Sequence, residues 1–503
     1  MSLVIFAFWG GTMSNKALPE KGITSDRIFE AMETIKQKDI RWGEGRAFSL
    51  VFKGDKEMDE VIRRASQMFF SENGLNPSAF PSLKQFENEV VSMMVDLLNG
   101  GDIGCGSMTS GGTESILMAV KAAREWGKKN KPGHARYKII VPLSVHPAFD
   151  KAAHYFELDL VKAPLGSDYR VDLEALEKLI DDRTILLVGS APQYPQGVVD
   201  PISAMGKLAK KYNTLLHVDG CVGGVLLPFF KKLGADVPDF DFAVDGVTSI
   251  SADLHKYGYA AKGASVVLFK NKELRRHSYF ASTDWPGGMY ASPSVLGTRA
   301  GGPIAAAWAI MNYLGVEGYM RVASTIKDTV DEFKKRIEAL PGVKLAVEPN
   351  MSVMCLVGDG LDIYKVGDSM TNRGWHLDRQ QNPSGLHLTV TYAHAQVIDN
   401  FFSDLQESIN EAGNFGAKLS GVKTGIAKGF IKAMPKGVVG KLVAREGKNF
   451  GKDLESDGPK NTAAMYGMME ALPGKGDLDG LVLDVLDGLF TLQKPMDLTE
   501  KQS

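Results

Sequence analysis

The chain has 503 residues, 44% of them hydrophobic and 23% charged, which is enough for a large core in two to four domains or in one large two-part enzyme. Its formal net charge of -2 excludes a basic nucleic-acid face or an acidic tail at the scale of the whole chain, so we expect no nucleic-acid partner. The three cysteines, Cys105, Cys221 and Cys355, lie far apart without metal-ligand spacing, which favours a reducing compartment and predicts no metal site.

The amino terminus, MSLVIFAFWGGT, is apolar but too short to cross a bilayer, and it lacks the basic flank of a signal peptide. No other run approaches the roughly 20 apolar residues that a membrane span needs. We therefore expect a soluble, cytoplasmic protein.

Helical spacing of apolar residues predicts helices over residues 25–37 and 57–70, which together suggest an amino-terminal helical arm over 1–75. The segment 73–81, NGLNPSAFP, interrupts this pattern with two prolines and a glycine. A third helix is predicted over 82–98, between a Pro-Ser start and an Asn-Gly-Gly stop.

The sequence then alternates between strand-like and helical segments. Predicted strands are 138–143, 158–165, 184–191, 214–219, 242–249 and 264–269, and the intervening helices include 172–180 and 201–212. This alternation predicts an α/β fold with a mainly parallel sheet that is covered on both faces. Ligands bind such sheets at the carboxyl ends of the strands, where His146 and Asp219 are expected.

The last part of the chain predicts a smaller α+β domain. After a glycine-rich loop over 285–302 come predicted helices 304–313 and 318–340, strands 343–347, 352–357 and 386–392, and a helix 396–412. We therefore divide the chain into the arm 1–75, a large domain 76–317 and a smaller domain 318–503.

Residues 413–458 are rich in lysine and glycine and contain few acids, as in an insertion. One interpretation is a peripheral contact with an anionic membrane or a partner. The alternative is a solvated mobile insertion, because Pro435 and the glycines interrupt any long helix.

The segment 104–115, GCGSMTSGGTES, precedes a helix predicted over 116–128. Small and hydroxyl residues before a helix allow backbone N–H groups to converge on an anion, so this segment is a candidate phosphate cradle. A glycine-rich turn with a Ser/Thr cap explains the local sequence equally well. Neither GxGxxG nor GxxxxGK[ST] is present, which argues against a dinucleotide or P-loop site.

The stretch 249–263, SISADLHKYGYAAKG, is the candidate centre of the chemistry. It reads as a loop that carries Lys256 inward among tyrosines and small residues, where desolvation lowers the pKa of an amine and prepares it to form an imine with an aldehyde. Pyridoxal phosphate is such an aldehyde, and a solvated surface lysine is the alternative.

Pyridoxal phosphate needs four groups, and the chain supplies a candidate for each. Lys256 would form the imine, Asp219 would keep the pyridine nitrogen protonated, residues 111–115 would hold the phosphate, and His146 would stack on the ring.

Several motifs resemble those of sphingosine-1-phosphate lyases, within the fold-type I pyridoxal-phosphate enzymes. The similar motifs are TSGGTES at 109–115, SVHPAFDKAAHYF at 144–156, HVDGCVGG at 217–224, SISADLHKYGYAAKG at 249–263, and TDWPGGMYASP with GTRAGG within 283–302. The resemblance implies a homodimer with active sites at the subunit interface. It also implies that His255, Gly112 and Thr113 contact the cofactor phosphate with Thr298 of the other subunit, that Tyr194 is a pocket tyrosine, and that Lys262 binds the substrate phosphate.

Two positions depart from the family pattern. Asn76 stands where the family usually has a phosphate-binding histidine, and Phe52 stands where it usually has a tyrosine. An asparagine still donates a hydrogen bond, but charge-assisted bonds are about twice as strong as neutral ones.

The resemblance implies a carbon–carbon lyase that acts on a small-molecule or lipid-phosphate substrate. A phosphorylated long-chain amino alcohol would displace Lys256, and retro-aldol cleavage between C2 and C3 would yield a fatty aldehyde and phosphoethanolamine. Lys256, Tyr194 or a neighbouring tyrosine would move the protons. The alternatives are an amino-acid decarboxylase and a non-catalytic protein that binds through its basic insertion.

Overall fold

Seven strands form the central sheet, with the order β1-β7-β6-β5-β4-β2-β3 across it. They are β1 (Cys105–Thr109), β2 (Lys138–Pro142), β3 (Asp159–Ala163), β4 (Thr184–Ser190), β5 (Leu215–Asp219), β6 (Val247–Ala252) and β7 (Ser265–Phe269). Of these seven, β7 alone runs antiparallel to its neighbours. The predicted α/β fold with a mainly parallel sheet is confirmed.

This computed structural model describes residues 21–419 and positions 480, 483, 486, 487 and 490. Residues Trp42–Lys418 form one compact unit, and helix α1 (Ser25–Lys36) belongs to a second unit. The insertion 413–458 lies outside the described residues except at its beginning, so its role stays a prediction. The three-domain division proposed from the sequence also stays a prediction.

Helices α2 to α9 lie within the unit of Trp42–Lys418. They are α2 (Lys56–Met68), α3 (Pro81–Leu97), α4 (Gly112–Asn130), α5 (Ala148–Tyr155), α6 (Leu173–Lys178), α7 (Ile202–Lys211), α8 (Leu226–Lys232) and α9 (Lys272–Arg276). Their ends follow local chemistry: Asp55 accepts a hydrogen bond from the Met58 N–H at the start of α2, and Pro81 occupies the first turn of α3.

Helix α10 (Gly301–Ala339) joins the two helices that were predicted separately over 304–313 and 318–340. Gly315 interrupts its helical geometry with a φ of 52°, a left-handed conformation that glycine adopts without steric cost. The predicted break between residues 313 and 318 is therefore a kink within one long element. Helix α10 packs along α2 and α3.

A second sheet of four antiparallel strands has the order β10-β11-β13-β12. Its strands are β10 (Val343–Leu345), β11 (Val353–Gly358), β12 (Asp378–Gln380) and β13 (Gly385–Thr389), accompanied by α11 (Ile363–Asn372) and α12 (Ile398–Leu419). Strand β12 and helix α11 were not predicted, and the strand predicted over 386–392 ends at Thr389. A separate hairpin consists of β8 (Phe280–Ser282) and β9 (Tyr290–Ser292).

Two sequence predictions about the central sheet are wrong. Strand β6 begins at Val247 rather than at residue 242, because Gly246 turns the chain with a φ of 103°. Phe242 is buried in the core but does not belong to a strand. The predicted glycine-rich loop over 104–115 is in its first half the buried strand β1, in which a Cβ on Gly106 would lie 2.5 Å from the Val267 carbonyl oxygen of β7. Small residues there permit close strand packing.

Within the part of the chain that the structure describes, no helix has the length and apolar character that crossing a membrane requires.

Three buried histidines predict a loss of stability in acid. Burial lowers the pKa of His217, His387 and His394, each to about 4, whereas burial raises the pKa of Asp200 to about 6. Below about pH 6.5 the unfolded chain protonates the three histidines and the folded chain does not, so stability falls as the pH falls. Asp200 acts in the opposite direction, because there the folded state binds the extra proton.

We expect these four groups together to lower the free energy of unfolding by about 2–3 kcal/mol per pH unit between about pH 6 and pH 4, which corresponds to a net two protons. Urea unfolding at a series of pH values measures this slope. His394→Gln should reduce it by about one proton, and His154→Gln, at an exposed position of α5, should leave it unchanged. An unaltered slope in His394→Gln would contradict the explanation.

Candidate active site

The candidate site lies where the parallel strands of the central sheet end. Strand β4 ends at Ser190, β5 at Asp219 and β6 at Ala252, and the ladder pairs Ser190 with Asp219 and Asp219 with Ser251. Because these strands are parallel, their carboxyl ends share one edge of the sheet, where ligands bind in such folds.

Lys256 lies in the turn between β6 and β7. The His255 N–H donates to the Ala264 carbonyl oxygen at 3.1 Å, which closes the turn. Lys256 Nζ lies 3.0 Å from Oδ2 of the buried Asp253, three residues before it. The turn thus places the lysine amine beside a carboxylate that is anchored to the end of β6.

The predicted lowering of the Lys256 pKa is wrong for this arrangement. Burial is the largest single effect and disfavours the ammonium, but Asp253, Cys221 and Asp219 together outweigh it, and the pKa of Lys256 is raised. The prediction rested on the tyrosines around the lysine and did not include its acidic neighbour Asp253.

Asp219 is held at the end of β5 by two hydrogen bonds to its Oδ1. The Cys221 N–H donates at 3.1 Å and the Ser251 hydroxyl donates at 3.4 Å. His217 lies on the same strand, with Nδ1 at 2.9 Å from Ser249 Oγ and Nε2 at 3.2 Å from Ser251 Oγ. This buried network fixes the orientation of the Asp219 carboxylate.

Helix α4 begins at Gly112, four residues before the predicted start, so the candidate phosphate cradle is the first turn of the helix itself. The N–H groups of this turn have no partner four residues earlier in the helix. A Cβ on Gly112 would lie 2.9 Å from both Asp253 carboxylate oxygens and from Cys221 Sγ, so the position requires glycine. The His255 ring faces the same turn, since a Cβ on Gly111 would lie 3.7 Å from its Cε1.

Tyr194 follows β4 and faces the second sheet. Its hydroxyl donates to Asp378 Oδ2 at 2.9 Å, and its ring stacks on His387 at 3.9 Å between centroids. Burial, and then the Asp378 carboxylate, raise the pKa of Tyr194. Tyr194 therefore keeps its proton at neutral pH and shares it with Asp378.

Comparison with known proteins identifies the family. The pyridoxal-dependent decarboxylase conserved domain matches residues 12–357. The sphingosine-1-phosphate lyase of Oryza sativa subsp. japonica is 40% identical over 447 residues, covering 86% of this chain and 82% of that protein. Sphingosine-1-phosphate lyase 1 of Rattus norvegicus is 41% identical over 399 residues, covering 79% of this chain and 70% of that protein. The chain belongs to the sphingosine-1-phosphate lyase family.

Solved structures agree with this assignment. The sphingosine-1-phosphate lyase of Burkholderia pseudomallei superposes with a TM-score of 0.77 at 39% identity, covering 83% of this chain and 97% of that one. The glutamate decarboxylase of Lactobacillus brevis superposes with a TM-score of 0.70 at 18% identity, covering 80% of this chain and 96% of that one, which shows a shared fold alone. The protein is therefore a pyridoxal-phosphate-dependent lyase of fold type I.

The residues of this lyase fit the cofactor. His255 Nδ1 is buried and has no hydrogen-bond partner among the described residues. An unpaired buried nitrogen beside the open N–H groups of the α4 first turn suits a phosphate. Asp219 provides a carboxylate on the same sheet edge for a protonated ring nitrogen.

His146 lies just beyond β2 and is exposed. Its Nδ1 accepts a hydrogen bond from the Ala148 N–H at 3.1 Å, which orients the ring at the start of α5. A neutral imidazole that accepts at Nδ1 carries its proton on Nε2. The stacking role predicted for His146 stays a prediction.

Lys262 and Phe52 lie together, and Asn76 belongs to a different turn. Lys262 Nζ lies 5.6 Å from the centre of the Phe52 ring and donates to the Leu50 carbonyl oxygen at 2.7 Å. Asn76 is exposed and its Oδ1 accepts from the Ser78 N–H at 2.9 Å, an arrangement that shapes the turn before α3. The structure thus brings together two of the three positions that the family resemblance connects to the substrate phosphate.

Two glutamates that the sequence analysis missed brace the loop that carries the exposed Thr298. Glu114 accepts from the Ser110 N–H at 2.6 Å and from the Val295 and Leu296 N–H groups at 2.7 and 3.1 Å. Glu87 pairs with Arg299 at 2.7 Å. A capping pattern, with Glu114 three residues after Gly111, was the available signal for the first glutamate. The second joins residues 212 positions apart, for which the sequence holds no local signal.

Proposed function

We propose that the protein cleaves a phosphorylated long-chain amino alcohol, such as sphingosine 1-phosphate, to a long-chain aldehyde and phosphoethanolamine. The observation that carries this proposal is the placement of Lys256, Asp219 and the first turn of α4 at one sheet edge, in a chain of the sphingosine-1-phosphate lyase family. The bond between C2 and C3 breaks in retro-aldol fashion.

Each residue has a defined part in this proposal. Pyridoxal phosphate, when bound, supplies the electron sink for the bond that breaks. Lys256 holds the cofactor, Asp219 keeps its ring nitrogen protonated, and His146 stacks on the ring. Gly112, Thr113 and His255 hold the phosphate.

The three tyrosines near the site are protonated at neutral pH and are therefore not bases. Burial raises the pKa of Tyr194, Tyr257 and Tyr259, so each keeps its hydroxyl proton at neutral pH and none is a base in its resting state. We assign the transfer of the substrate 3-hydroxyl proton to Lys256 Nζ, which would be a neutral amine once the substrate amine displaces it from the cofactor. Tyr194 positions substrate through its hydroxyl oxygen, which is free to accept a hydrogen bond while its proton is donated to Asp378.

We further propose a homodimer in which Thr298 reaches the phosphate site of the second copy. Thr298 is exposed, and the Glu114 and Glu87 contacts hold its loop on both sides in a fixed position. A rigid, exposed loop that carries a hydroxyl is suited to complete a neighbouring site.

The direct test is to incubate the purified, cofactor-loaded protein with sphingosine 1-phosphate or its dihydro form and to measure long-chain aldehyde and phosphoethanolamine in equal amounts. Release of carbon dioxide from amino acids, without aldehyde from the phosphorylated base, would support the decarboxylase alternative instead. Absence of both products from a protein that binds the cofactor would leave the non-catalytic alternative.

Lys262→Ala tests the phosphate assignment. Lys262 is the charged group beside Phe52, and Asn76 contributes a neutral side chain, so the lysine should provide most of the attraction for the substrate phosphate. A hydrogen bond to a charged group is worth about 1.5–3 kcal/mol, which predicts a KM increase of about 10–100-fold with little change in kcat. Asn76→His should lower KM by adding a second cationic donor. A Lys262→Ala enzyme with unchanged KM would contradict the assignment.

A further inference from the structure

Asp253 is a buried carboxylate that contacts both functional side chains of the β6–β7 turn. Its Oδ2 lies 3.0 Å from Lys256 Nζ and 3.7 Å from His255 Nε2. One carboxylate thus lies between the lysine assigned to the cofactor aldehyde and the histidine assigned to the cofactor phosphate.

The surrounding backbone fixes the position of this carboxylate. The Asp253 N–H donates to the Cys221 carbonyl oxygen at 3.4 Å, which ties the residue to the segment that follows Asp219. The first turn of α4 closes over the side chain, because a Cβ on Gly112 would lie 2.9 Å from each carboxylate oxygen. The Asp253 carboxylate is thus buried against the first turn of α4, beside Lys256.

The charges around the turn favour an ion pair. Burial opposes a charged Asp253, but the nearby Lys256 and His255 outweigh burial, and the pKa of Asp253 is lowered. Against the effect of burial, Asp253, Cys221 and Asp219 raise the pKa of Lys256. Burial, and then Lys262 and Lys256, lower the pKa of His255, and burial and Lys256 in turn lower the pKa values of Lys262 and His387. Among the carboxylates of the described residues, Asp253 is the one that contacts the Lys256 amine.

We propose that Asp253 is a positioning residue that holds Lys256 as an ammonium in the cofactor-free protein and fixes where its Nζ lies. The inference rests on the proposed role of Lys256 as the cofactor lysine, and it gives a role to a residue of the 249–263 motif to which the resemblance assigned none. An ammonium is not nucleophilic, so Asp253 restrains the lysine until the cofactor enters. Loss of the carboxylate should therefore accelerate cofactor uptake at neutral pH while it disorders the lysine.

The test measures Lys256 directly in the cofactor-free protein. Reductive methylation, followed by mass spectrometry of the Lys256 peptide, gives the pH midpoint of its reactivity across the neutral and alkaline range. The unaltered protein should show a midpoint above that of the exposed Lys207. Asp253→Asn, which keeps the shape of the side chain, should move the Lys256 midpoint to lower pH by about one unit or more.

Cofactor uptake supplies the second readout. At neutral pH, Asp253→Asn should take up pyridoxal phosphate about tenfold faster for each unit by which the midpoint falls, because the neutral amine becomes that much more abundant. A purely structural role would slow uptake or leave its rate unchanged. Asp219→Asn is the matched control: it removes another buried carboxylate of the site that does not contact Lys256, and its midpoint shift should be smaller.

The outcomes separate this inference from the proposed function. A Lys256 midpoint below that of Lys207 in the unaltered protein, or an unchanged midpoint in Asp253→Asn, would overturn the inference and leave the proposed function standing. Methylation needs no cofactor, so failure of the unaltered protein to take up pyridoxal phosphate would count against the proposed function alone. If Asp253→Asn does not fold, the methylation midpoints of Lys256 and Lys207 in the unaltered protein still test whether Lys256 is held as an ammonium.

Discussion

Lys256→Ala should reduce aldehyde release by about 10⁴-fold or more and abolish the visible absorption of the lysine-bound cofactor. The variant removes both the amine that holds the cofactor and the assigned proton carrier, and general acid–base help alone is worth about 10²–10⁴-fold. It also leaves the buried Asp253 without its partner at 3.0 Å. Steady-state assays and absorption spectra of the purified variant measure the two losses.

Lys262→Ala is the matched control for this prediction. It removes another lysine only six positions along the same segment, and it should keep the visible absorption while raising KM. A Lys256→Ala protein that retained both the absorption and the aldehyde release would show that another lysine holds the cofactor.

Asp219→Ala should lower activity by about 10²–10³-fold and weaken cofactor binding. The alanine removes the charge assigned to the ring nitrogen and leaves the Cys221 N–H and the Ser251 hydroxyl without their acceptor. Removing one partner of a buried charge pair costs about 3–5 kcal/mol, and each 1.4 kcal/mol is a factor of about ten. Titration of the cofactor-free variant with pyridoxal phosphate measures the loss of affinity.

Asp219→Asn separates charge from packing. Its amide oxygen can still accept from Cys221 and Ser251, so folding should be preserved while most of the activity is lost. Full activity in Asp219→Asn would show that the negative charge is not what Asp219 contributes.

The parts of the site that the sequence predicted are those with a local pattern. Asp219 ends an apolar strand, and Lys256 lies in a turn between two strands, so each could be placed at a sheet edge from its neighbours in the chain. The candidate phosphate cradle was predicted to precede a helix starting at residue 116, whereas residues 112–115 are the first turn of α4. The glycines of 104–115 disguised both the buried strand β1 and the true start of α4 at Gly112.

The parts that the sequence did not predict depend on contacts between distant segments or on the exact shape of a turn. Tyr194 and its partner Asp378 are separated by 184 positions, and no periodicity brings them together. Asp253 is only three residues before Lys256, but whether it points at the lysine depends on how the turn is built. Phe242 shows the reverse error, because an apolar residue can be buried without belonging to a strand.

The residue after Lys256 connects its turn to the other sheet. Tyr257 donates its hydroxyl proton to the Val390 carbonyl oxygen at 2.7 Å and lies 2.5 Å from Ser352 Oγ, at the ends of β13 and β11. A movement of the second sheet would therefore shift the Tyr257 ring and, through it, the adjacent Lys256. We therefore expect substitutions at Ser352, a residue of the second sheet rather than of the β6–β7 turn, to alter turnover through Tyr257.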